Sequence, residues 1–101
     1  MKIVTEFTKD SNPLVYSNDQ DQNYAFIRHS EYYLNELLRY RRFVTLHDVL
    51  ERLGYSEMQI REMVAKYGNY VWKIGDGDAI YIDVDYWRTQ LGLDPIIEID
   101  I

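Results

Sequence analysis

The sequence predicts an α+β domain: three short helices in a helix-turn-helix-like arrangement packed on a small antiparallel sheet with a β-hairpin, winged-helix-like in order. Three observations predict it. Apolar residues recur with a period near 3.6 from residue 30 to 67. The period changes to 2 in YVWKIGDGDAIYIDVDYW, residues 70–87. The length, 101 residues, suits one domain (1–101) with a single core.

The elements follow in order. MKIVTEFT is β-branched and alternating, which predicts a strand over 2–8. KDSNPLVYSNDQDQN (9–23) is dense in Asp, Asn, Ser and Pro and reads as a loop, with Leu14, Val15 and Tyr16 available to pack back. Ser30 is the expected cap of the first helix, whose buried stripe is Tyr33, Leu34, Leu37 and Leu38 and whose last turn is basic. Thr45 caps a second helix with Leu46, Val49, Leu50 and Leu53 inward, ended by Gly54. Ser56 and Gln59 form a capping-box pair for a third, with Ile60, Met63, Val64 and Tyr67 inward. Tyr70, Trp72 and Ile74 then share one strand face, Ile80, Ile82 and Val84 another, and GDGD between them tolerates the positive φ of a hairpin turn. PIIEIDI closes the sequence as a strand with Ile97, Ile99 and Ile101 on one side and Glu98 and Asp100 on the other, a candidate to pair with the first strand.

Composition narrows the function classes. No cysteine is present, so disulfides, thiolate metal sites and cysteine nucleophiles are excluded. No apolar run has the length of a membrane span, and MKIVTEF lacks the apolar stretch of a secretion signal, so a host cytosolic location without membrane association is the expectation. The formal charge is −6, and it is unevenly placed: residues 67–101 hold 2 basic and 7 acidic side chains, whereas 28–66 hold 7 and 6. Such a balance disfavours a duplex-coating protein, because Lys and Arg contacts to phosphate supply most non-specific affinity. The 10 tyrosines suit partly buried and interface positions alike.

Candidate sites divide by charge. Asp76, Asp78, Asp83 and Asp85, with Tyr81, Tyr86 and Trp87, form a candidate partner-binding face. A wing carrying Asp76 and Asp78 opposes phosphate, since like unit charges about 4 Å apart cost about 1 kcal/mol even in water. The alternative, a winged-helix DNA-binding regulator, would use Arg39, Arg41, Arg42, Arg61 and Lys66. The aspartates lack the ligand offsets of a calcium loop, with Ile80 where a third oxygen belongs. His29 and His47 have no second ligand at metal spacing, and GDGDA has no phosphate-loop Lys. No cofactor, metal or catalytic residue is expected.

Residues 27–54, IRHSEYYLNELLRYRRFVTLHDVLERLG, resemble a group of small uncharacterised proteins encoded by phages and mobile elements of Gram-positive bacteria. The similar parts are the helix HSEYYLNELL, the link FVTLHDV and the second helix ending in LG; in those proteins a Gly commonly stands where Arg42 is. The resemblance implies a phage or prophage accessory setting and no chemistry. The expectation is a non-enzymatic protein that binds and inhibits or modulates a host nucleic-acid-handling defence protein with a basic surface, in an anti-CRISPR-like manner.

Overall fold

The computed structural model describes residues 1–75 and 79–101. The chain is α+β, with the order β1 (Lys2–Glu6), α1 (Gln20–Arg41), β2 (Phe43–Thr45), α2 (Leu46–Arg52), α3 (Glu57–Tyr67), β3 (Val71–Lys73), β4 (Ile82–Val84), α4 (Tyr86–Gln90) and β5 (Ile96–Asp100). Two small antiparallel sheets form, one ordered β1-β5-β4 and the other β2-β3. The expected pairing of the first and last strands is present, with Ile3 opposite Ile99.

Among the described residues, the expected hairpin pairing between residues 70–74 and 80–84 is absent. β3 pairs with β2, placing Trp72 opposite Val44, while β4 pairs with β5, placing Ile82 opposite Ile99. Alternation identifies which residues share a face, but it does not name the neighbouring strand. FVT, part of the expected link FVTLHDV, supplies the missing partner. The winged arrangement therefore lacks a wing built from these two strands. Asp76 and Asp78 lie outside the described residues.

α1 begins ten residues before the expected cap. Asp19, not Ser30, caps it, its carboxylate accepting from the Asp21 N–H at 2.9 Å. Ser30 lies fully buried mid-helix, in one stripe with Asn23, Ile27, Leu34 and Leu38. The polar DQDQN run looks like a loop because Asp and Asn favour turns, yet here it forms a helix start. Asn23 anchors that start: its side chain accepts from the Ser17 N–H at 2.8 Å and donates to the Ser17 carbonyl at 2.7 Å. Tyr33, expected in the buried stripe, is exposed and lies against the Arg52 guanidinium, 4.2 Å from its ring centroid.

α1 ends with Arg42 in the left-handed region at φ 78°, a conformation that favours glycine. α2 has the reciprocal capping box: Asp48 N–H donates to the Thr45 hydroxyl at 3.2 Å, and Asp48 Oδ2 accepts from the Thr45 N–H at 2.9 Å. Arg41 also pairs with this carboxylate. Burial pushes the Asp48 pKa up, but the Thr45 donors and Arg41 together hold it below the usual carboxylate value. For α3 only the Ser56 half of the predicted box forms, its hydroxyl accepting from Gln59 N–H at 3.3 Å.

One core joins both sheets to the helices. Ile3, Ile82, Ile97 and Ile99 cover one side of the larger sheet and are fully buried, as are Ile27 and Leu34 of α1 and Leu46, Val49 and Leu50 of α2. Each such side chain contributes about 1.5–3 kcal/mol of transfer free energy. The segment before α1 packs back through Asn12, whose amide donates to the Leu53 carbonyl at 2.9 Å, and through half-buried Val15 and Tyr16; Leu14 stays in solvent.

Candidate functional site

The side of the larger sheet opposite the core carries the acidic residues. Flanking β1, Phe7 N–H donates to Pro95 O at 2.9 Å and Ile101 N–H to Met1 O at 3.0 Å, which makes the odd residues of β1 the hydrogen-bonded partners of β5. Their side chains go inward, so Lys2, Val4 and Glu6 face out. By the same alternation Ile96, Glu98 and Asp100 of β5 and Tyr81, Asp83 and Asp85 around β4 share this outer face. Glu98 stands in register with Asp83, an arrangement of like charges that a sheet pays for in stability. Lys2 offsets it, with Nζ 3.5 Å from Glu98 and 3.9 Å from both Asp83 and Asp100. The Asp100 and Glu98 carboxylates raise the Lys2 pKa in return. A concavity of about 450 Å³ runs across the face, lined by Val4 and Ile96 with Asp83, Asp85 and Glu98.

Of the expected partner-binding residues, Tyr81 and Asp83 are exposed on this face. Asp85 has a structural task as well: it caps α4, accepting from the Arg88 N–H at 3.3 Å. Tyr86 and Trp87 open α4, a helix too short to be read from periodicity. Tyr86 meets Tyr24 of α1 edge-on with centroids 5.2 Å apart, and Trp87 is 76% exposed beside equally exposed Leu91. The acidic strand thus runs directly into an apolar patch. Glu6 was missed as a member of the face. The signal for it was parity, since Glu6 alternates with Lys2 and Val4 on a strand expected to pair with the last one.

The alternative cationic set is dispersed and largely paired. Arg39 pairs with Glu36 at 2.7 Å, Arg41 with Asp48, and Arg61 with Glu57 at 3.3 Å. Lys66 lies over the Tyr67 ring, and Arg42 is exposed at the helix end. A second concavity, about 410 Å³, is lined by Tyr33, Leu37, Arg41, Asp48, Glu51 and Arg52, whose charges are of both signs. Both histidines are exposed, and among the described residues no group of three or more His, Asp or Glu side chains is placed to hold a metal ion. Among the same residues no helix is long and apolar enough to cross a membrane.

In comparisons with known proteins, no family model matches the chain, and neither a curated protein nor a solved structure is significantly similar to it.

Proposed function

We propose that this chain is a non-enzymatic docking protein whose outer sheet face engages a basic surface of a host nucleic-acid-handling protein, the phage-type accessory role implied by the resemblance of residues 27–54. The observation that carries the reading is the gathering of Glu6, Asp83, Asp85, Glu98 and Asp100 on one face against Lys2. Carboxylates held side by side in register repel one another, and a cationic partner relieves that repulsion on contact. Val4, Ile96, Tyr81 and the Trp87 patch supply apolar area that turns electrostatic encounter into a lasting complex. On this reading nucleic acid competes for the partner's groove. The regulator alternative draws less support, because three of its arginines are paired with carboxylates of this chain.

The test is binding to a panel of purified nucleic-acid-processing enzymes with basic grooves, followed by biolayer interferometry. The expected result is affinity that falls with salt, is competed by nucleic acid, and drops about 100-fold or more when Asp83, Glu98 and Asp100 are changed to Lys, with the fold checked by circular dichroism. Binding indifferent to that reversal sinks the reading. So does a shift of duplex DNA by the chain itself at low ionic strength.

A further inference from the structure

The two edges of the larger sheet are finished differently, and the difference points to a second copy of this chain. On the β4 edge, Ile80 and Ile82 direct their backbone groups away from β5, and α1 satisfies them. Asn35 accepts from the Ile80 N–H at 2.8 Å and donates to its carbonyl at 2.9 Å. Glu31 accepts from the Ile82 N–H at 2.7 Å, and Arg28 donates to the Ile82 carbonyl. On the β1 edge, Lys2, Val4 and Glu6 direct their backbone groups outward. Among the described residues, only the Glu6 carbonyl in that row has a hydrogen-bond partner, the Tyr55 hydroxyl at 3.0 Å. An open edge of this kind is a template for another strand.

We propose that β1 pairs with β1 of a second copy, antiparallel about a two-fold axis through Val4. The register follows from the outward row: Lys2 opposite Glu6 of the copy, Val4 opposite Val4, and Glu6 opposite Lys2. Opposite charges then face each other at both ends of the seam, with the half-exposed Val4 side chains meeting between them. A Lys placed only to block the edge has no need of a Glu four residues on, on the same face. The Glu6 carbonyl keeps its Tyr55 bond and uses its other lone pair for the copy's Lys2 N–H. The product is a six-stranded sheet, β4-β5-β1-β1-β5-β4, with the buried isoleucine sides of both copies on one face and both acidic sides on the other. The acids of the two copies do not prevent it: the β5 strands stand three strand spacings apart, about 14 Å, beyond the screening length of about 8 Å at physiological salt. The inference is independent of what the acidic face binds.

Analytical ultracentrifugation of the full chain tests it. The expected result is reversible association from 12.2 kDa to twice that mass. Val4→Pro removes an N–H that points away from β5, so it leaves the internal ladder intact and weakens the dimer by about tenfold or more. Lys2→Glu and Glu6→Lys each place like charges across the seam and weaken self-association. Mixing those two variants restores dimers as mixed pairs, because opposite charges then face each other at both ends of the seam. A single-copy mass at all concentrations overturns the proposal, as does a dimer indifferent to Lys2→Glu and Glu6→Lys. Failure of the two folded variants to form mixed pairs overturns it as well.

Discussion

A helix covers the β4 edge at Ile80 and Ile82, whereas the β1 edge is met only by the Tyr55 hydroxyl, although both flank the same central strand. On the sealed side, Arg28, Glu31 and Asn35 lie at i, i+3 and i+7 along α1, so one helix face presents donors and acceptors at a strand's spacing. Arg28 and Glu31 also pair with each other at 2.9 Å, which fixes the two head groups for the task. The contrast teaches that a sheet can end without another strand when a helix carries the right polar residues beside its apolar stripe. It also shows that the same fold leaves its other end unprotected, apart from one tyrosine hydroxyl.

The sharpest way to break the contrast is Asn35→Ala. It strips both partners from the Ile80 backbone, and Ile80 is fully buried, so the expected loss is about 2–4 kcal/mol in urea denaturation. A loss under half a kcal/mol would mean that the helix does not seal this edge.

Tyr55→Phe acts on the opposite edge and is expected to cost less, about 0.5–1.5 kcal/mol, by freeing the Glu6 carbonyl. It has a pH signature. Burial raises the Tyr55 pKa from 10.0 to about 12. The unfolded phenol therefore ionises first, and the wild type keeps this part of its stability below pH 10 and loses it as pH rises from 10 through about 12. The variant should show a flatter stability profile across that window, measured by denaturation at a series of alkaline pH values.

The smallest effect is expected at a site that touches neither edge. Arg42→Gly relieves a left-handed non-glycine residue, partly offset by the backbone entropy of glycine, and should stabilise the fold by about 0.5 kcal/mol, read as a raised midpoint with unchanged self-association.

Much of this fold is legible in the sequence. The alternation of Ile3, Ile97 and Ile99 marks inward faces of β1 and β5, and the Thr45 and Ser56 caps mark the starts of α2 and α3. What the sequence conceals has physical causes. Asn23 and Ser30 occupy buried helical positions that apolar periodicity passes over, so the first half of α1 is hidden behind polar residues. β2 has three residues and α4 five, too few for any period to emerge. The acidic face was legible in Asp83, Glu98 and Asp100, whose parity along their strands is clear. That Glu6 joins them, and that Lys2 sits among them, depends on a pairing between residues nearly the whole chain apart.

The central place of β5 has a consequence for how the molecule is made. Its partners, β1 and β4, have no strand to join until residues 96–100 have left the ribosome, and β1 must then close the loop of residues 7–95, 89 in all. The middle of the chain, where α1, β2, α2, α3 and β3 touch near neighbours, can collapse earlier through local contacts. Assembly is accordingly expected to proceed from the inside outward, and a chain cut short before Ile96 would leave two orphaned strands exposed to whatever else is folding nearby.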